Sequence, residues 1–142
     1  MIRTMAWRFE GRLRVAVHHH APPSRDEWVD YVREIDDYAG PDQRVLVRSH
    51  GGSPNGPQRK LLTDVEKRRV SRSAVLTDNA IVRVVGETIG AVISSVQTFA
   101  FDDVDAACKY LGLESAECVR VGELLKELEQ ELGLRSDDQA SA

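Results

Sequence analysis

All four histidines of this 142-residue chain close two short apolar runs: His18, His19 and His20 follow Leu13 to Val17, and His50 follows Arg44 to Arg48 by one serine. A third run, Ser73 to Thr77, ends on Asp78. Imidazoles near a carboxylate can hold zinc or another borderline metal. The triplet cannot converge on one ion, because consecutive residues of an extended chain point to opposite faces. Partly exposed histidines at strand ends are the expected arrangement, with no metal and no cofactor.

The second candidate is the loop Ser49-His50-Gly51-Gly52-Ser53-Pro54-Asn55-Gly56-Pro57. Gly51 and Gly56 have the spacing of the glycines in a Walker phosphate loop, but Pro57 stands where that motif needs lysine, so nucleotide hydrolysis is not expected. Loop amides and the positive end of a following helix could still hold an anion, although glycines used only for a tight turn are the commoner case. A phosphoryl group on Ser53 would lie beside those amides and near Arg59 and Lys60. No serine has a base paired with it in sequence, so neither a nucleophile triad nor an enzyme is expected.

Several elements must position these residues. Met5 to Val17 alternates apolar and polar residues around Gly11, the pattern of a hairpin whose strands each bury one face. Ser24 and Glu27 have the spacing of a capping box, and Trp28, Tyr31, Val32, Ile35 and Tyr38 recur at helical spacing until Gly40-Pro41. Arg44 to Arg48 reads as a strand buried on both faces. Asn55 with Gln58 predicts the start of a second helix facing inward through Leu61, Leu62 and Val65. Ser73 to Thr77 is the next strand, and Asp78 or Asn79 caps a third helix with Ile81, Val82, Val85, Ile89 and Val92 turned inward. Gly86 and Gly90 on that helix permit close approach to a neighbour in the same chain or leave a groove for an apolar ligand. Val96 to Phe101 predicts a last strand. A helix with Val104, Ala107, Cys108 and Leu111 on one side follows, and then a glutamate-rich helix carrying Val121, Leu124, Leu125, Leu128 and Leu132.

Strand and helix alternate, and connections of that kind are almost always right-handed around a parallel sheet. The expected fold is therefore α/β: a mostly parallel, five-stranded open sheet with an antiparallel N-terminal edge strand and helices packed on it. Residues 1–113 form this domain, 114–134 a C-terminal amphipathic helix, and 135–142 a disordered tail. In such sheets ligands gather at the carboxyl ends of the strands, which groups His19, His50, Gly51, Gly52, Ser53, Asn55 and Asp78 on one rim.

Composition adds exclusions. Hydrophobic residues at 42% and charged residues at 30% are ordinary for a globular chain. The N-terminus lacks the apolar core of a secretory signal, and Ile81 to Val96, interrupted by Arg83 and Glu87, is too short to span a bilayer. Cys108 and Cys118, without metal or redox spacing, read as two lone thiols of a reducing compartment, so a cytoplasmic location is expected. From Arg44 to Arg72 eight basic residues oppose two acidic ones, while from Glu114 onward eight acidic residues oppose three basic ones. With net charge −4 and no aromatics in the basic run, this argues against nucleic-acid binding and for helices meeting each other or a partner.

The edge hairpin, the alternation that follows and the sequence Val-Leu-Val-Arg-Ser-His-Gly-Gly-Ser-Pro-Asn before the second helix resemble the STAS domain family of sulfate transporters and anti-sigma factor antagonists. Arg44 to Arg59, Ala74 to Val85 and Phe99 to Leu113 are similar to small stand-alone bacterial members. The resemblance implies a regulatory, protein-binding module switched by phosphorylation at the start of the helix after a central strand, where Ser53 stands. The acidic residue usual beside the family's serines is replaced here by His50-Gly51-Gly52. The expectation is thus a non-enzymatic interaction module with a protein partner at the rim, without membrane insertion, and with a homodimer through the C-terminal helix as a further option. The alternative is a carrier of a small ligand or lipid in a cleft between the third helix and the sheet.

Overall fold

A computed structural model of the chain describes residues 3–38, 42–67, 70–93 and 95–134. The Gly40-Pro41 stop and the tail expected over 135–142 lie outside them. The elements are β1 (Met5–Glu10), β2 (Leu13–His18), α1 (Arg25–Tyr38), β3 (Asp42–Ser49), α2 (Gly56–Glu66), β4 (Val70–Leu76), α3 (Ala80–Val92), β5 (Val96–Phe99), α4 (Val104–Leu111) and α5 (Ser115–Glu131).

The sheet runs β1-β2-β3-β4-β5 in chain order, antiparallel at β1–β2 and parallel thereafter. Strands laid down in sequence with crossovers of one hand put every crossover helix on the same side. Accordingly α1, α2 and α3 share one face, where Ala16, Trp28, Tyr31, Ile35 and Val65 are buried together. The opposite face would be bare without α4 and α5. These cover Leu13, Val15, Val17, Leu46, Ala74 and Leu76 with Ala107, Leu111, Val121, Leu124, Leu125 and Leu128 in a single cluster.

Local chemistry sets several boundaries as the sequence predicts. Asn55 caps α2 in a closed capping box with Gln58, Asn79 rather than Asp78 caps α3 through the Ile81 and Val82 amides, and Gly112 ends α4 at φ 69°, a left-handed conformation that glycine adopts at little cost. Gly86 and Gly90 let α3 lie close on β5, since a Cβ at Gly86 would stand 3.0 Å from Thr98 Cγ2 and one at Gly90 3.4 Å from the Val96 carbonyl oxygen.

Other expectations need correction. The α1 capping box is half formed: the Glu27 amide donates to Ser24 Oγ at 3.3 Å, but the Glu27 carboxylate turns to the Thr4 and Met5 amides, each at 3.1 Å, and so ties α1 to the start of β1. β2 buries both faces rather than one, because a strand paired on both sides and covered by two helical layers has no solvent side. Leu61, at 46% exposure, and Ile81, at 71%, point outward, as do Val92 and Tyr38. On α2, Val65 is buried and Leu62 partly so as expected, and Gln58 and Glu66 take the remaining inward positions. The two cysteines are not isolated: α4 and α5 fold back on each other and bring Cys118 Sγ to 2.6 Å from Cys108 Sγ.

The acidic α5 meets mainly the N-terminal arginines, and of the basic run Arg48 reaches it, through Glu129. Arg12 makes two bonds of 2.8 Å to Glu117, Arg120 pairs with Glu10, and Arg3 and Arg8 pair with Glu131. Its apolar side is buried against the sheet. Among the described residues no helix is long and apolar enough to cross a membrane.

Candidate ligand cleft

The carboxyl ends of β2, β3 and β4 do bring the expected rim residues together. His50 is partly exposed as a residue, but its side chain is buried. Its Nε2 lies 2.7 Å from Glu129 Oε2, and its ring stands edge-on to Phe101 at 5.0 Å. Asp78 Oδ1 accepts from the Phe101 amide at 3.1 Å, so Phe101 links the two rim residues. Glu129 also takes Arg48 Nη1 at 3.3 and 3.4 Å, and the Arg48 guanidinium lies 4.7 Å from the Phe101 ring centre. His50 and Arg48 Nη1 thus share one buried carboxylate, as buried charge requires a partner, while Arg48 Nε, also buried, has no protein acceptor among the described residues.

The glycine loop is structural. Gly51 adopts φ 127°, and a Cβ on Gly52 would stand 2.1 Å from the Ala21 carbonyl oxygen, so the loop after β3 lies directly against the loop after β2. The Gly52 amide donates to the His19 carbonyl at 2.9 Å, and Ser49 Oγ bonds both the Gly52 carbonyl and the Gly51 amide. At the N-terminus of α2, the Asn55 side chain takes the Gln58 amide and Pro57 has no amide to offer, so the expected anion cradle is largely filled by the chain itself. Arg59 donates to the Pro54 carbonyl at 3.0 Å. His19 is partly exposed, its pKa lowered by burial and by His20 and His50, while His20 is exposed and its Nδ1 is 2.8 Å from the His50 carbonyl. Among the described residues no group of three or more His, Cys, Asp or Glu side chains is arranged to hold a metal.

Ser53 leads elsewhere. It lines an apolar cleft between the helices α1–α3 and the sheet. The floor consists of three rows fixed by strand register. Arg14, Val45, Ser73 and Val96 form the row farthest from the rim, Val47 and Val75 line the middle, and His18 pairs with Ser49 at the rim. Val82, Val85, Gly86 and Ile89 of α3 close one side, and Trp28, Tyr31 and Leu62 the other. The space is about 700 Å³ with adjoining solvent included, and it is narrow, with about 80 Å³ open to the centre of a water-sized sphere.

Two buried polar side chains interrupt this lining. His18, 5% exposed, packs 6.1 Å from the Trp28 ring, and its Nδ1 has no protein partner. Burial holds its pKa down to about 4, with Glu27 acting the other way, so the ring is neutral at pH 7. Arg14, with a side chain 3% exposed, pairs through Nη2 with Glu66. The other Glu66 oxygen accepts from Ser71 Oγ at 2.7 Å. Burial pushes the neighbouring Tyr31 hydroxyl up, the charge of Arg14 opposing that shift.

Arg14 and His18 are the residues that sequence patterning places on the wrong side, since alternation with Leu13, Val15 and Val17 assigns them to solvent. The available signal was the position of β2 between two partner strands, ahead of a crossover helix. Comparison with protein-family models, curated proteins and solved structures returns no match for this chain. Fold and cleft together define a three-layer α/β domain with an apolar slot beneath its crossover helices.

Proposed function

We propose that this protein is a non-enzymatic module that holds a small, largely apolar molecule between α3 and the sheet. The observation that carries this reading is the cleft. Native interiors leave few voids larger than a water molecule, whereas this slot extends from Arg14 to the rim with valine and isoleucine along most of its walls. An apolar lining with a few placed polar groups is the general form of small-molecule sites. The test is native mass spectrometry of protein purified without denaturant. A retained adduct is expected, and it should vanish in Val85→Trp, whose indole fills the slot. A clean apo mass, together with no uptake of added apolar probes, would refute the reading.

A protein partner is the second reading, and the outer row of α3 favours it. Ile81, Val84 and Val92 are 71%, 59% and 52% exposed, and grouped exposed apolar side chains mark interaction surfaces more often than isolated ones do. The STAS resemblance supports a regulatory role for such a contact, with phosphorylation at Ser53 as its switch; the two thiols without metal or redox spacing support a cytoplasmic location, and the net charge of −4 argues against nucleic acid. Pull-down from a bacterial lysate with the parent chain and with Ser53→Glu checks this reading. Identical partners for both chains, or none, would count against it.

A further inference from the structure

The floor row farthest from the rim combines features that an apolar slot does not need. Arg14 lies in register with Val45, Val45 with Ser73, and Ser73 with Val96, and all four line the cleft. Glu66 engages Nη2 of Arg14, and the Tyr31 hydroxyl also acts on the guanidinium, yet Nε and Nη1, both buried, have no acceptor within hydrogen-bond geometry among the described residues. A buried donor without an acceptor is costly, and charged donors cost most. Cross-strand spacing of roughly 4.8 Å puts Ser73 about 10 Å from Arg14, with Val45 as the floor between them.

Resting on the cleft reading, we infer that Arg14 recognises its occupant, and that the occupant is an apolar molecule carrying an uncharged hydrogen-bond acceptor, a ketone, ester or amide carbonyl, at its inner end. The choice of an uncharged acceptor follows from charge. Glu66 already neutralises Arg14, and Ser71 completes the Glu66 carboxylate. A ligand carboxylate would bring a second, uncompensated anion into a buried site, and desolvating an ion costs far more than desolvating a carbonyl. A carbonyl oxygen takes the free guanidinium hydrogens without that cost. The body of the ligand then extends over Val47 and Val75 toward His18, a distance of about 13 Å along β2 from the rise of ~3.3 Å per residue.

The test uses three eight-carbon probes, 2-octanone, n-octane and octanoate, with binding read from the fluorescence of Trp28 in a Trp7→Phe background. 2-Octanone should bind on the order of tenfold to a hundredfold more tightly than n-octane, the range for a hydrogen bond to a charged donor, and more tightly than octanoate. Arg14→Met alone leaves Glu66 buried and unpaired, so the decisive variant is Arg14→Met/Glu66→Leu, which replaces the pair with apolar groups and keeps the fold. Circular dichroism melting confirms that it is folded, and it should bind octane as the parent does while losing the preference for ketone. Equal affinity for ketone and octane in the parent, as when a water satisfies Arg14, would overturn the inference and leave the cleft reading standing. A ketone preference that survives in the double variant, or tighter binding of octanoate, would overturn it equally. If no probe binds, the cleft reading itself fails.

Discussion

Glu129 and His50 face each other across 2.7 Å although they are 79 residues apart in the chain. The same carboxylate, 1% exposed, also holds Arg48, so α5 is fastened to the rim of the sheet by one buried anion between two nitrogen donors. Removing one member of a buried ion pair strands the other, at about 3–5 kcal/mol. Glu129→Ala should therefore lower stability by about that much in urea unfolding, and Glu129→Gln, which keeps an acceptor oxygen, by less. A loss below about 1 kcal/mol for the alanine variant would show that water compensates Arg48.

His18 makes stability depend on pH in a defined window. Its folded pKa of about 4 lies below the unfolded value of 6.5, so between those limits the unfolded chain binds a proton that the folded chain refuses. Stability contributed by the neutral ring is complete above pH 6.5 and falls as pH drops toward 4, by up to about 3 kcal/mol. His19, also lowered, adds in the same direction. The carboxylates with lowered values, Glu10, Glu27 and Glu117, lose their contribution only below their usual titration near pH 4.5. Denaturation midpoints from pH 7.5 to 4.5 should slope downward in the parent and flatten in His18→Gln. Parallel slopes would assign the window to other groups.

Gly52 joins two loops with no room between them. A methyl group there would stand 2.1 Å from the Ala21 oxygen and 2.7 Å from the His19 oxygen, so Gly52→Ala must separate the loops and strain the Gly52 to His19 hydrogen bond. Overpacking of this kind costs about 1–3 kcal/mol or more. The variant should melt lower, and amide hydrogen exchange should quicken at residues 19–21 and 50–53 first. Unchanged exchange there would mean that the loops part freely.

The Cys108–Cys118 contact predicts an ordered thiol chemistry. Burial, with Cys118 and Asp105 adding to it, pushes the Cys108 thiol up to about 12, and Cys108 is buried while Cys118 is partly exposed. Iodoacetamide at pH 8 should alkylate Cys118 first, because the thiolate is the nucleophile. An azodicarboxamide oxidant accepts two electrons and two protons as the two thiols join, and should give an intramolecular disulfide, read as the loss of two hydrogens in the intact mass. Cys118→Ser should give none. Preferential alkylation of Cys108 would contradict the burial order.

Much of this architecture is local and therefore legible in residues. Asn55 and Asn79 announce helix starts because their side chains satisfy amides two or three residues away, and Gly112 marks a helix end because it tolerates a positive φ. The order of strands and helices, and the grouping of His50 with Asp78 on one rim, follow from such signals plus the handedness of crossovers. What only tertiary structure decides is which face a residue spends its life against. Alternation in β2 reports that Leu13, Val15 and Val17 are buried, but it cannot report that α1 and α2 cover Arg14 and His18 as well, since that cover arrives from residues far along the chain. Ile81 shows the converse: helical spacing groups it with Val82 and Val85, yet it is 71% exposed while Val82 is buried. The cleft and the Glu129 link join distant segments, and the cysteine pair joins two consecutive helices across their turn; periodicity, which registers neighbours within one helix or strand, carries no information about any of them.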